Sequence, residues 1–366
     1  MKRTILSLFL SGVTLMISAG FAQADDLGVA NNYNVFVLGN DIQSNNTAQG
    51  KVAIGGNGIF SSGTGGSNVN YAHPGSTANA LIIMGDYISN RVGTYGSVDG
   101  TVYVGGNATI DNPKISGSLY VNGNTKLQGG GTIHGSIHLV TGKTYTHTQS
   151  YAPFNSPLFS STPYTLPVNF GAAGTYLTNH ATGWGSLAAN GATSVPVGGT
   201  TITLTHGNNL PNNTPDIFFI DGDTLAANTG INIFARNNAT VLINISKRTD
   251  GSDALPNTLI TLHGTTQNHV LFNFFDANTV SLNNSGITGS VLAPYAAVDF
   301  GQGRIEGTLV AGSLTGSGEA LDFPFAGFLP SVSVLVSTTP EPGLFALLGA
   351  GCLGSALLLR RRRRRE

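Results

Sequence analysis

One short pattern recurs along this chain and restricts how it can fold. It is a glycine, then Ser or Thr, then alternating apolar residues, then a Gly/Asn turn. Gly100-Thr-Val-Tyr-Val-Gly-Gly-Asn107, Gly117-Ser-Leu-Tyr-Val-Asn-Gly-Asn124 and Gly135-Ser-Ile-His-Leu-Val140 follow one another, with leading glycines 17 and 18 residues apart. Gly289-Ser-Val-Leu-Ala293 and Gly307-Thr-Leu-Val-Ala311 repeat it 18 residues apart, Gly50 to Asn57 is an earlier copy, and Leu81-Ile-Ile-Met84 is a looser one. Strands this short cannot bury a core alone, but stacked coils can, which predicts a mainly β, parallel β-helix or solenoid-like domain. Gly and Asn supply the backbone geometry of the corners. The rival all-β reading is a sandwich or barrel of hairpins, whose turn signals recur every 8 to 12 residues. The wider spacing favours the solenoid.

The middle of the chain breaks the pattern. Pro153, Pro157, Pro163 and Pro167 mark an irregular connection. Asn169 to Asn190 carries Phe170, Tyr176, Leu177, Trp184 and Leu187 among alanines, which reads as an accessory helix lying along the solenoid. Gly171, Gly174, Gly183 and Gly185 count against that helix. Strands resume at Thr201–Thr205, Asp216–Ile220, Ile231–Phe234, Thr240–Ile245 and His269–Phe274.

Both ends read as processing segments. Lys2 and Arg3 form a positive n-region, and Ile5 to Ile17 is an apolar run too short to span a membrane. Ala22-Gln23-Ala24 fits a signal-peptidase site, so residues 1–24 read as a signal peptide and the mature chain would start at Asp25. At the other end, Gly343 to Leu359 is uncharged and rich in Leu, Ala and Gly. As a helix it would be about 25 Å long at 1.5 Å per residue, slightly short of a hydrocarbon core of about 30 Å. The arginines that follow, Arg360, Arg361, Arg362, Arg363, Arg364 and Arg365, can snorkel and would hold the C-terminus in the cytoplasm. Residues 343–359 are therefore expected to be a single transmembrane helix with a basic tail at 360–365. Pro340, Glu341 and Pro342 precede it as an extended, accessible segment.

Composition then limits the function classes. Residues with charge make up 10% of the chain, apolar residues 40%, and Gly accounts for 50 of 366. That suits a folded extracellular β-structure with many tight turns. The net charge is −1, but Lys2, Arg3 and the six terminal arginines hide an acidic body. Without the ends, 9 basic and 16 acidic residues remain, about −7, which gives no electrostatic reason to bind nucleic acid. The one cysteine, Cys352, lies in the terminal apolar run, so the body has neither a disulfide nor a cysteine nucleophile.

Two resemblances follow from these residues. Pro340-Glu341-Pro342, the apolar segment and the arginine cluster together resemble the PEP-CTERM sorting signal over residues 340–366. That resemblance implies recognition and cleavage by an exosortase, with the helix as a transient inner-membrane anchor. The order of Tyr33-Asn-Val-Phe-Val-Leu-Gly39, Gly50 to Asn57, Thr240 to Ile245, Gly289 to Pro294, Gly307 to Gly316 and Phe323-Pro-Phe-Ala-Gly327 is similar to the choice-of-anchor A domain. The similarity spans residues 27–330, with 331–339 as a linker. It implies an exported protein with a surface anchor and no particular activity.

No motif commits the chain to catalysis or to a cofactor. His134 and His138 share a helix-type zinc spacing but lie in strand-and-turn sequence, where they would be about 13 Å apart. Asp221-Gly222-Asp223 and Asp250-Gly-Ser-Asp253 read as turns rather than calcium loops. Asp299, Arg304 and Glu306 are the only candidates for a polysaccharide-cleaving site, and neighbours in sequence do not make an acid–base pair. Thr201-Ile-Thr-Leu-Thr205 puts three threonines on one strand face, but ice recognition needs that pattern in many coils. Asn45, Asn107, Asn238 and Asn244 head glycosylation-type triplets that a chain rich in Asn and Thr produces by chance. The leading expectation is a non-enzymatic surface or extracellular-matrix protein associated with exopolysaccharide. The alternatives are an adhesin for carbohydrate, host matrix or ice, and a polysaccharide lyase or hydrolase.

Overall fold

The computed structural model describes residues 26–44, 47–61, 69–72, 79–90, 96–148, 156–211, 213–255 and 258–332. The chain divides into two units, 1–332 and 333–366, and the second lies outside the described residues. The first is a solenoid of parallel strands, so the solenoid expectation holds against the hairpin alternatives. Each full coil contributes a strand to three faces, which we term covered, front and back.

The order of coils differs from the order of sequence. On the covered face, Val35–Val37 pairs in parallel with Val52–Ile54 on one side and with Leu309–Gly316 on the other. The first coil is thus inserted between the last coil and the second. One half of the stack runs from here through Leu81–Ile83, Val102–Val104 and Leu119–Val121 to Ile137–Val140. The other runs back through Ser290–Phe300, Val270–Phe274 and Val241–Ser246 to Asp216–Asp221. Asn34 pins the seam: its amide donates to the carbonyls of Gly307 and Leu321, both at 2.9 Å, and its Oδ1 accepts from the Gly50 N–H at 3.2 Å.

The Gly-Gly-Asn signature now has a cause. Where the covered face turns into the front face, the side chain of each rung accepts the backbone N–H of the rung above. Asn40 receives Asn57, Asn57 receives Asp86, Asp86 receives Asn107, and Asn107 receives Asn124, at 2.7–2.9 Å. A Cβ on Gly106 would lie 2.3 Å from Asp86 Oδ1. The residue before each rung must therefore be Gly, because the ladder side chain below fills that space.

The core follows the period-2 pattern of the strands. Val35, Val37, Val52, Ile54, Leu81 and Ile83 point inward and are fully or nearly buried. The middle residues Phe36, Ala53 and Ile82 point outward, yet they are buried too. Their cover is helix α1, Phe170–Gly185, within the segment where the sequence predicts one. Asn169 caps its start by accepting from the Ala172 N–H at 3.1 Å. Phe170, Ala173, Leu177, Ala181 and Trp184 form its apolar stripe against the covered face. Asn244 and Asn273 reach out of that face to donate to the carbonyls of Trp184 and Ala181 at 2.7 and 2.9 Å, which satisfies the helix end. Gly185 is required there, since a Cβ would meet Phe275 Cγ at 2.4 Å. No described helix is long and apolar enough to cross a membrane. The expected span at 343–359 lies outside the described residues.

Candidate functional site

The front face is a long surface that neither described α-helix covers. It runs in register from Ser252–Ala254 at one end to Tyr145–Thr148 at the other. About nine steps of ~4.8 Å give it a length of roughly 43 Å. Its central outward row reads Ala254, Ser281, Asp299, Thr315, Ile42, Ile59, Ile88, Thr109, Lys126 and Thr146. Alternation fixes this row, because the residues between its members, such as Val280, Val298, Leu314 and Tyr87, are core residues. One side of the row is bounded by Ser252, Thr279, Ala297 and Ser313, which continue into the Asn40–Asn124 ladder. The row carries mostly hydroxyl and aliphatic groups, with Ile42, Ile59 and Ile88 at its centre. In the central row, Asp299 and Lys126 are the only charges, and they are of opposite sign.

At one end of this face lies a groove of about 440 Å³, between the ladder and the central row. Asp86, Asn107 and Asn124 form one wall, and Ile88, Thr109, Lys126 and Thr146 form the other.

Two carboxyl groups face inward from the strands of the front face. Asp41 is 1% exposed; its Oδ1 accepts from Gln43 Nε2 at 2.7 Å and its Oδ2 has no partner. Burial pushes its carboxyl up to about 7, against a weaker lowering by the Gln43 bond. Asp253 is buried with both oxygens unpartnered. Burial first, and the charge of Asp276 next, push it up to about 7 as well, with Arg248 opposing. Asp250 stays in a turn as the sequence predicts, but Asp253 is a core-facing strand residue.

The other sequence candidates are dispersed. Asp299 projects from the front face and accepts from Asn283 at 2.7 Å, whereas Arg304 and Glu306 pair with each other at 2.8 Å on the back face. The three do not form one site. His134 follows a back-face strand, while His138 lies on the covered face, stacked 4.1 Å from the Tyr120 ring with its pKa lowered by burial. Asp221 caps the short helix α2, Gly222–Ala226, by accepting from the Thr224 N–H at 3.1 Å, and Asp223 pairs with Arg248 at 3.3 Å. No group of three or more His, Cys, Asp or Glu among the described residues is arranged to hold a metal ion. Asn244 is buried against α1, which closes it to glycosylation.

Thr201, Thr203 and Thr205 face outward on the back face. The threonine strand has company there: Thr203 aligns with Asn232 and Thr261 across successive coils, and the next strand joins through the Leu259–Gly286 pair with Thr288 two residues on. Glu306 and then Leu321 follow Thr288 in the next two coils. Ala22, Ala24, Pro340, Glu341, Pro342 and Arg360 to Arg365 lie outside the described residues.

Sequence reasoning did not find the front row. A signal for it exists, because Ile42, Ile59, Ile88, Thr109 and Lys126 each stand two residues after a ladder Asn or Asp.

A family model described as "Putative Ice-binding-like adhesive domain" matches residues 26–321. Among solved structures, the crystal structure of an ice binding protein from an Antarctic bacterium, Flavobacteriaceae, is similar at 14% identity. That match covers 85% of this chain and 99% of the other, with a TM-score of 0.23. No curated protein matches the chain.

Proposed function

The chain belongs to the family of ice-binding-like adhesive domains, and from that premise we propose that it is an exported, non-enzymatic surface adhesin whose front face lies against exopolysaccharide. The observation that carries this reading is the unbroken row of hydroxyl and aliphatic side chains, with one charge of each sign, along some nine coil steps. A surface of this kind meets an extended partner at many evenly spaced points, and weak contacts then add along its length.

The account of sorting belongs to the same proposal. Signal peptidase cuts after Ala24. An exosortase recognises Pro340, Glu341 and Pro342 while residues 343–359 hold the chain in the inner membrane and Arg360 to Arg365 stay in the cytoplasm. The choice-of-anchor A resemblance agrees with a protein built to be displayed. Nucleic acid is not a partner. The geometry of the described ends supports display of the front face: the Tyr176 hydroxyl donates to the Asp26 carbonyl at 3.1 Å, and Val332 packs on Gly183, so both ends lie beside α1 on the covered face.

The test is to measure retention of the purified protein on immobilised exopolysaccharide, with Thr315→Tyr at mid-row as the probe. Loss of at least about tenfold in retention, a contact worth about 1.4 kcal/mol, is expected. Retention unchanged by that substitution would count against the front face.

A second reading rests on the uncharged Thr203, Asn232, Thr261 and Thr288 row of the back face. It makes the back face an ice-contacting surface. Partition of the protein into growing ice, abolished by Thr261→Tyr, would support it, and exclusion from ice would remove it.

A further inference from the structure

We infer that the groove between the Asn ladder and the front row is a subsite for a neutral, extended glycan lying along the solenoid axis. The inference rests on the adhesive reading of the front face and narrows it to one site and one ligand chemistry.

The size of the groove is the first argument. At about 440 Å³ it falls within the range of small-ligand sites, large enough for part of a sugar chain.

Its chemistry is the second. The ladder uses the Oδ1 atoms of Asn107 and Asp86 to receive the N–H groups of the next coil. That fixes each side chain in place; Asn107 Nδ2 is engaged as well, donating to Asp86 Oδ1 at 3.2 Å, and Asn124 Oδ1 accepts from the Thr144 N–H at 3.0 Å, so Asp86 Oδ2 and Asn124 Nδ2 are the wall atoms outside these bonds. The hydroxyls of Thr109 and Thr146 face them across the groove, with Ile88 at one end. Sugars need this mixture: hydroxyl groups both donate and accept, and the C–H side of a pyranose ring packs on an aliphatic surface.

Charge is the third. Lys126 and Asp86 are the only ionic groups lining the groove, and they offset each other. Such a site has no net field to select a polyanion.

Repetition is the fourth. Asp86, Asn107 and Asn124 stand on consecutive coils, so equivalent groups recur at the strand spacing of about 4.8 Å. A ligand that satisfies all of them must itself repeat and lie along the stack. A peptide strand is a poor fit. The strands under the groove bond to one another in register, and the outer edge of Tyr145–Thr148 at its end runs across the stack rather than along the groove, so a peptide strand added there would not follow it.

The experiment uses the mature full chain, cellopentaose as the neutral probe and a galacturonate oligomer as the anionic one, both followed by titration calorimetry. The variants are Thr109→Trp, which fills the groove, Thr109→Ala, which removes one hydroxyl, and Lys114→Trp on the back face as control. Saturable cellopentaose binding is expected. Thr109→Trp should weaken it by at least about tenfold and Thr109→Ala by a few-fold, Lys114→Trp should leave it unchanged, and added salt should have little effect. Tighter, salt-sensitive binding of the galacturonate oligomer would overturn the neutral class. Cellopentaose binding that ignores both Thr109 variants would overturn the site. Absence of cellopentaose binding, with exopolysaccharide retention still lost in Thr315→Tyr, would refute the groove and leave the adhesive face standing. Should Thr315→Tyr also retain full adhesion, the adhesive reading itself would fail.

Discussion

Replacing Asp41 with asparagine should remove a large part of the dependence of this protein's stability on pH. Asp41 faces the core from the strand Asp41–Ser44, with one oxygen bonded to Gln43 and the other without a partner. Its carboxyl is held at about 7 in the fold, against 3.8 for an ordinary aspartate. The folded state therefore keeps a proton that the unfolded chain releases near 3.8. Between those values the unfolded state binds fewer protons, so stability falls as pH rises. The favourable contribution is complete below about 3.8 and is lost as pH passes about 7. A shift of about 3 units at 1.36 kcal/mol each corresponds to roughly 4 kcal/mol. Asparagine has the same shape and no charge, but it buries an extra N–H at a cost of about 1–3 kcal/mol. The variant should therefore be more stable than the wild type at pH 8, by about 1–3 kcal/mol, and less stable at pH 4, by about 0.5–2.5 kcal/mol. Urea unfolding followed by the fluorescence of Trp184, the sole tryptophan, measures both. If the Asp41→Asn stability profile superimposes on that of the wild type from pH 4 to 8, the carboxyl is not a buried, proton-holding group and the reasoning is wrong. Asp253 contributes in the same direction, so Asp41→Asn with Asp253→Asn should flatten the profile further.

Other consequences are equally direct. Gly106→Ala should destabilise the fold by roughly 1–3 kcal/mol, because its Cβ has no room beside Asp86 Oδ1; a thermal midpoint equal to that of the wild type would argue against the ladder. Asn34→Ala should cost about 3 kcal/mol or more by leaving the Gly307 and Leu321 carbonyls and the Gly50 N–H unpaired. Native-state hydrogen exchange should then rise first at Val35–Val37 and the paired end of Leu309–Gly316, whereas uniform change along the stack would contradict the seam. Trp184→Phe loses the indole bond to the Pro330 carbonyl at 2.9 Å and should cost about 1 kcal/mol by denaturant unfolding.

Much of the fold was legible because it is repetitive. The strands at Thr201–Thr205 and Val270–Phe274 lie where alternation places them, and Gly-Gly-Asn marks true corners. Helix α1 was readable from Phe170, Leu177 and Trp184 despite its glycines, whose presence the close approach of Phe275 explains at Gly185. The order of coils was not readable. Val35–Val37 and Leu309–Gly316 are ordinary short strands, and only their packing shows that they join head and tail of the domain. The site was partly hidden for a related reason. Asp299 and Glu306 are neighbours in sequence, but a corner sends them to different faces, whereas Ile88 and Lys126 are distant in sequence and share one row. Asp-Gly-Ser-Asp suits a turn throughout, yet Asp253 faces inward, a position that follows only from its register with Val280.

The central claim is that the front row makes the adhesive contact, and adhesion of cells displaying the full chain tests it most directly. Ile42→Glu, Ile59→Glu and Ile88→Glu together place three charges at successive positions of the row without entering the core. Normal export, a folded protein by circular dichroism, and loss of nearly all attachment to exopolysaccharide-coated surfaces are expected. Attachment at the wild-type level by a folded, displayed triple variant would contradict it.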